Sequence, residues 1–283
     1  MKTWRVVLTV AVLSWACASR SQELGGPGPL GLERGPAPDR LFQPQSPAPG
    51  FGEKVVESTW YSRADYFHWK ERLLGRDFVN EDGLLTTLGY VRRVGIERFR
   101  VELFGGDVHY GATVDLLDGS SEFLPSTTRY LGVRGEYDLL FEPEWLPRAT
   151  LFVGVGTRLW IRNLKDEVLS TGDPIDGYDE TWWTIYPYLG LETRHFRDEG
   201  LELFGMARIG CTPVTYEHAT LLDVTVFPKI GITGQVECGL RTRRFHVCGF
   251  FEAMTWRESA AVRETFQPQS RMFTVGLKSG FSF

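Results

Sequence analysis

From about residue 55 to residue 283, apolar residues recur at every second position instead of at helical spacing. Residues 149–162 show this most clearly, because a set of Ala, Leu, Val, Thr and Ile alternates with a set containing Gly, Arg and aromatic residues. A period of two places the two sets on opposite faces of a β-strand. Ten such segments predict an all-β fold, with less regular alternation in the first two, near residues 59–69 and 84–92.

The segments between these predicted strands alternate strictly in length. Short turns are predicted near residues 94–96, 142–147, 197–200 and 242–243, and longer polar loops near 71–82, 110–127, 163–180, 215–223 and 257–269. This order predicts an up-and-down antiparallel transmembrane β-barrel of about ten strands. In such a barrel we expect short periplasmic turns, longer extracellular loops and a periplasmic location for both ends of the barrel domain.

The placement of charge favours a membrane barrel over a soluble lipocalin-like barrel or sandwich, which would direct its charges outward. Here the charged residues share a face with Gly and large aromatic residues, as in a barrel lumen. The opposite face is nearly free of charge in the later strands, where each Arg or Lys facing lipid would cost about 2–4 kcal/mol. The predicted lumen charge network consists of Arg100, Glu102, Arg134, Glu136, Asp138, Arg158, Glu192, Arg194, Arg208, Lys229, Glu237, Glu252 and Lys278.

The final segment of the chain is the clearest single strand. Its alternate apolar positions are Phe273, Val275, Leu277, Phe281 and Phe283, and small or polar residues lie between them. A strand with one apolar face that ends on an aromatic residue is typical of the strand that closes a membrane barrel.

The N-terminal region differs from the rest of the chain. Residues 1–18 have a basic start, a short apolar stretch and an Ala-Cys-Ala sequence, which together predict a signal peptide that is cleaved before Ser19. Residues 19–53 are rich in Pro and Gly and predict a disordered periplasmic leader. The barrel domain is then residues 54–283. A formal net charge of −5 with no basic run indicates no nucleic-acid partner.

In its signal sequence, its alternating strands and its closing strand, the chain resembles the small outer-membrane β-barrel proteins of Gram-negative bacteria. The resemblance covers the barrel domain and is one of architecture. It implies that the protein lies in the outer membrane in contact with lipid. It also implies that the barrel-assembly machinery inserts it through the C-terminal strand. We expect a monomer.

Three functions remain open for such a barrel. Acidic and basic inward residues are nearly balanced, which predicts a closed lumen of paired charges and an envelope scaffold or surface-interaction protein. Any ligand would then bind at the extracellular loops. The first alternative is a narrow channel for small solutes, with water around the inward Gly positions. The second alternative is a hydrolase at the outer rim.

The hydrolase alternative rests on a resemblance to the omptin proteases, which also have ten strands. Asp107 and His109 share one face of a strand beside Tyr110, so the carboxylate could orient the imidazole. Acidic residues that could face this pair in the third outer loop are Asp173, Asp176, Asp179 and Glu180. No G-x-S-x-G sequence is present, and we expect the protein not to be an enzyme.

The remaining Cys, His and aromatic residues give no sign of a cofactor. The histidines are scattered, so we expect no metal site. Alternation places Cys211 and Cys238 outward and Cys248 inward as free thiols, with Cys238 paired to Val247 across a two-residue turn. Aromatic residues near strand ends predict interfacial girdles; they are Trp60, Trp69, Trp182, Trp183, Tyr186, Tyr188 and Trp256.

Overall fold

The computed structural model of the protein describes residues 56–115, 121–169, 172, 174–198 and 200–283. The predicted signal peptide and the predicted leader lie outside these residues. The strands are β1 (Val56–Leu73), β2 (Arg76–Val94), β3 (Glu97–Asp115), β4 (Ser121–Phe141), β5 (Ala149–Leu164), β6 (Glu167–Val168), β7 (Pro174–Ile175), β8 (Asp179–Asp198), β9 (Leu201–Cys211), β10 (Val214–Ala219), β11 (Val224–Val226), β12 (Ile232–Arg241), β13 (Phe245–Trp256) and β14 (Gln269–Ser282).

The strands form one closed antiparallel barrel in which neighbours in the chain are neighbours in the sheet. The barrel closes where β14 pairs with β1, from Thr59 opposite Ser282 to Arg72 opposite Gln269. β9 and β10 both pair with β8, so together they make one barrel strand with a break. β12 pairs with β9 and β11 pairs with β10, so β11 and β12 make the next barrel strand, which also has a break. The result is ten barrel strands in up-and-down order, as the sequence predicts.

The two ends of the barrel differ. We call the end with the start of β1 and the end of β14 the termini end; it also carries the connections β2–β3, β4–β5, β8–β9 and β12–β13. The opposite loop end carries the connections β1–β2, β3–β4, β5–β8, β10–β11 and β13–β14, and β6 and β7 form a small separate hairpin there.

Two hairpins at the loop end are longer than predicted. Residues 71–82 were predicted as a loop, but β1 and β2 stay paired up to a two-residue turn, Leu74-Gly75. Both turn residues have positive φ angles, 49° and 80°, the backbone of a tight hairpin turn that Gly75 adopts without strain. Most of the predicted loop 110–127 is likewise strand, in β3 and β4.

The outward surface carries a belt of exposed apolar side chains. On β3 it includes Phe99, Val101 and Leu103, and it is bounded by exposed Glu97 at one end and exposed Asp107 at the other. The apolar residues of the predicted closing strand also face outward, with Val275, Leu277, Phe281 and Phe283 exposed and Phe273 half-buried. Among the described residues, no helix is long and apolar enough to cross a membrane.

The cysteines face as predicted, but the neighbouring register is different. Cys238 is exposed, Cys211 is half-buried and Cys248 is buried, and all three are free thiols. Cys238 pairs with Gly249 instead of Val247, because the turn between β12 and β13 is centred on Arg243 and Arg244. Thr242 closes this turn by accepting a hydrogen bond on its Oγ1 from the Phe245 amide, at 3.1 Å.

Inward glycines on the barrel wall are covered by aromatic rings from the neighbouring strand. Tyr61 lies over its cross-strand partner Gly89, and Tyr186 lies over its partner Gly156. Phe104 with Gly132 and Phe152 with Gly190 repeat the arrangement. The rings therefore occupy the volume that a Cβ at these glycines would need.

We predict that Gly156→Ala destabilises the barrel strongly, whereas Gly135→Ala does not. A Cβ at Gly156 would overlap the Tyr186 ring, so Tyr186 would have to leave its buried position, at a cost of about 1–3 kcal/mol or more. A Cβ at Gly135, on the adjacent β4, would meet Thr157 at an ordinary 3.7 Å. Urea unfolding of the two refolded variants measures the difference, and equal midpoints would contradict the packing argument.

Candidate functional site

A layer of paired charges crosses the lumen at the level of Arg134. Arg134 on β4 is 1% exposed and donates from Nε to Glu136 and to the Tyr186 hydroxyl, both at 2.7 Å. Its Nη2 lies 2.8 Å from Glu252 on β13. Since β4 and β13 are five strands apart around a ring of ten, this contact spans the full width of the barrel.

Further buried arginines extend the layer to the other walls. Arg63 on β1 lies 3.1 Å from Asp65 and 3.3 Å from Glu102. Arg208 on β9 lies 2.8 Å from Glu136. Arg100 on β3 also reaches Glu136, at 2.8 Å. Glu102 and Glu136 therefore each contact more than one guanidinium group, an arrangement that offsets the cost of removing these charges from water.

A second layer, made of four tryptophans, lies next to the charge layer on the side of the loop end. Trp69, Trp160, Trp182 and Trp256 are each between 0% and 2% exposed. The rings of Trp69 and Trp182 are 5.1 Å apart between centroids, although β1 and β8 are also five strands apart. Trp160 stacks on Trp182 with centroids 5.5 Å apart. Ring contacts at this separation exclude water from the centre of the lumen.

A third cluster, which we call the Arg162 cluster, lies beyond the tryptophans towards the loop end. Arg162 contacts Glu71 at 3.1 Å, Glu81 at 2.8 Å, and Glu180. Its guanidinium also lies over the Trp69 ring, 4.9 Å from the centroid. A fourth buried carboxylate, Glu217, pairs in register with Trp182, and its Oε2 accepts no hydrogen bond among the described residues.

The predicted lumen residues are placed as follows. Eleven of the thirteen are buried in the lumen: Arg100, Glu102, Arg134, Glu136, Asp138, Arg158, Glu192, Arg208, Glu237, Glu252 and Lys278. Arg194 is partly exposed at the termini end, with 31% of its side chain accessible. The placement of Lys229 was wrong. Lys229 is exposed because the strand breaks at Pro228, and it lies between β11 and β12 without the alternation of a regular strand.

Sequence reasoning missed the lumen residues of the longer hairpins and of the early strands. These residues lie on β1 and β2: Arg63 and Asp65 where the alternation is irregular, and Glu71 and Glu81 where the sequence predicts a loop. Arg162 belongs to the inward set of residues 149–162, so the alternation does indicate that it faces the lumen.

Several predicted girdle aromatics lie inside the barrel instead. Trp69, Trp182 and Trp256 belong to the tryptophan layer, and Tyr186 and Tyr188 are buried beside the charges. Trp60 and Trp183 are exposed, at 49% and 40%, and agree with the prediction. The physical reason is that a large ring near a strand end fits either a membrane interface or a wide lumen. Only its place in the inward or the outward set of the strand distinguishes the two locations.

The residues of the hydrolase alternative are not gathered into one pocket. Asp107 and His109 lie on the outward face, and Asp107 is paired with Arg129 at 2.9 Å. Of the proposed facing residues, Glu180 is bound to Arg162 inside the barrel, and Asp179 accepts from Asn163 at 2.6 Å. Asp176 is exposed, and Asp173 lies outside the described residues. Within the described ranges, no group of three His, Cys, Asp or Glu residues could hold a metal ion.

The loop end carries an open cleft of about 600 Å³ between the β5–β8 and β10–β11 connections. Thr220 links the two connections, because its Oγ1 accepts from the Asp179 amide at 2.9 Å and donates to the Asp179 carbonyl at 3.1 Å. Lys165 and Asp166 supply exposed charges. Burial raises the pKa of the Tyr178 phenol, and the charge of Glu180 adds to the effect, so Tyr178 stays a neutral hydrogen-bond donor.

No family model and no curated protein matches the chain. Among solved structures, the Escherichia coli outer membrane protease OmpT is 10% identical, with 81% of this chain and 96% of that chain covered and a TM-score of 0.46. The β domain of the Bordetella autotransporter BrkA is 12% identical, with 81% and 100% covered and a TM-score of 0.48. Neisserial surface protein A is 11% identical, with 79% and 97% covered and a TM-score of 0.32. At these values the similarities carry no functional inference.

Proposed function

We propose that the protein is an integral outer-membrane β-barrel with a closed lumen, a scaffold or surface-interaction protein of the cell envelope that acts through its loop end. The observation that carries the proposal is the contact of side chains from opposite walls, in the pairs Arg134–Glu252 and Trp69–Trp182. Side chains that meet from opposite walls at two levels of the described lumen support a closed barrel and argue against transport through it.

The exposed apolar belt supports the membrane location. Monomeric soluble proteins rarely expose apolar patches larger than a few hundred Å². On β3 the belt lies between Glu97 and Asp107, which are ten residues apart (107 − 97), a separation of about 25 Å in height for a strand tilted near 40°. This is the height of the outward apolar band of a membrane barrel. We further propose insertion by the barrel-assembly machinery through β14, and a monomeric state.

The loop end supports a role in binding. The cleft beside Thr220 has a volume of about 600 Å³ and is lined by residues of two connections, β5–β8 and β10–β11. Connecting segments held by a rigid scaffold are common places for binding residues. A polar extracellular ligand, protein or glycan, would be recognised there by Asn163, Lys165 and Asp166.

We predict that an epitope tag inserted after Ala261, at the loop end, is stained by antibody on intact cells. A tag inserted after Glu144, at the termini end, should be stained only after the outer membrane is permeabilised. Both positions are exposed and lie in connections, so the insertions are matched in their local surroundings. Staining of the Glu144 insertion on intact cells, or of neither insertion before permeabilisation, would refute the proposed orientation.

A further inference from the structure

A band of cationic side chains lies on the outward surface of the barrel, at the loop-end edge of the apolar belt. It crosses four neighbouring barrel strands, from the break between β11 and β12 through β13 and β14 to β1. Each member is exposed or half-buried, and the residue before each of them in the chain is buried. We call this band the cationic edge; it consists of Lys229, Arg257, Arg271, Lys70 and Arg72.

The cations of this edge face one another across the strands. Lys229 and Arg257 form an isolated antiparallel bridge, in which the backbone amide of each donates to the carbonyl of the other, at 3.0 and 3.2 Å. On the next two strands, Arg271 of β14 pairs in register with Lys70 of β1. Residues directly opposite in an antiparallel pair hold their side chains on the same face, and like charges there repel each other. Two such pairs side by side are unfavourable without an anion between them.

The edge has few carboxylates to offset these charges. Asp77 of β2 contacts the two members that lie on β1. Among the described residues, no carboxylate lies within 4.0 Å of the charged nitrogens of Lys229, Arg257 or Arg271, and this includes Glu258, which follows Arg257 in the chain. All three cations are exposed, so a ligand at the surface can reach their donors.

The edge of the belt differs on the other side of the barrel. On β2 and β3 the belt is followed by exposed carboxylates, Asp82 and Asp107. The exposed cation of the neighbouring β4 is Arg129, and it is paired with Asp107 at 2.9 Å. The surplus of positive charge therefore belongs to the sector from β11 to β1.

The cationic edge is at the height of a lipid headgroup. In this sector the belt includes Phe251, Val275 and Tyr66, which are exposed and lie in one row across the strands. Phe273 is the last apolar residue on the outward face of β14, and Arg271 is two residues beyond it (273 − 271). That separation is a rise of about 5 Å for a strand tilted near 40°. Since the headgroup layer of each leaflet is about 5–8 Å thick, the Arg271 guanidinium lies among the headgroups.

We propose that the cationic edge binds the phosphate headgroup of a membrane lipid in the leaflet at the loop end, with the acyl chains of that lipid on the belt below. Guanidinium groups match the oxygen geometry of phosphate, and a phosphate between two facing cations removes their repulsion. A lipid is the expected occupant because it gains from the charges and from the belt together, whereas a free anion gains from the charges alone. This inference rests on the membrane location proposed above and is independent of the loop-end cleft.

The test is native mass spectrometry of the refolded full chain in neutral-detergent micelles that contain phosphatidic acid and phosphatidylcholine with the same acyl chains. We expect the chain to retain phosphatidic acid with an affinity about tenfold above that for phosphatidylcholine. Arg257→Ala should reduce this preference at least fivefold, and Arg257→Lys should reduce it less. Arg129→Ala is the matched control, because it removes an exposed arginine that has a carboxylate of its own, and it should keep the preference within about twofold.

Urea unfolding without added lipid separates a binding role of Arg257 from a structural one. Arg257→Ala should be at least as stable as the unsubstituted chain, because it removes one member of a like-charge pair, and a lower midpoint would overturn the proposal. Equal losses of preference in Arg257→Ala and Arg129→Ala, or full displacement of the lipid by inorganic phosphate, would also overturn it. Equal retention of the two lipids would refute the headgroup site alone. A folded chain that retains neither lipid would refute the membrane location as well.

Discussion

Arg162→Ala should lower the free energy of unfolding by about 3–5 kcal/mol, because it leaves buried carboxylates without their cation. Glu71, Glu81 and Glu180 all contact Arg162 and are buried. Without the guanidinium, these carboxylates would repel one another in a place that water does not reach. Urea unfolding of the refolded variant, followed by the heat-modifiable gel shift, measures the loss.

Arg129→Ala is the matched control for this change. Arg129 also pairs with a carboxylate in the loop-end half of the barrel, but both it and Asp107 are exposed, with 62% and 49% of their side chains accessible. Exposed ion pairs of this kind contribute little to stability, because water screens the two charges. Similar losses in the two variants would show that water reaches the Arg162 cluster.

The barrel, its strand count and the orientation of most strands were predictable, since each strand has one apolar and one polar face. On β5 the inward set with Arg158 and Trp160 is the one that alternation predicts. The same reasoning fails in the loop-end hairpins. Beyond Asp107 the outward face also becomes polar, the contrast between the two faces disappears, and a strand resembles a loop although its hydrogen-bonded ladder continues.

The side-chain contacts across the lumen depend on strand register, which alternation does not determine. The inward glycines predicted space for water, but Gly89 and Gly156 lie directly opposite Tyr61 and Tyr186, whose rings fill that space. The error of two residues in the pairing of Cys238 shows how small a shift changes such neighbours. For the same reason, no sequence pattern could show that Trp69 meets Trp182 across the lumen.

The charge layer and the tryptophan layer lie one after the other along the lumen. Opening only one of them should therefore leave the barrel without conductance in a planar bilayer. We predict no conductance for the unsubstituted protein, for the double variant Trp69→Ala/Trp182→Ala, or for the double variant Arg134→Ser/Glu252→Ser. The second pair removes one cation and one carboxylate that meet across the lumen, so the net charge of the layer is kept, although Arg158 also loses its contact with Glu252.

The quadruple variant that combines these changes should conduct in stable, discrete steps. Removing the facing rings and the facing ion pair opens gaps that lie above one another, and the charges that remain around them favour hydration. Adding Trp60→Ala/Trp183→Ala to the ion-pair variant is the matched control, because it removes the same two side chains from the exposed outward surface. That control should stay silent. Conductance of the unsubstituted protein would instead make the lumen a pore, and a folded but silent quadruple variant would place the closure elsewhere in the barrel.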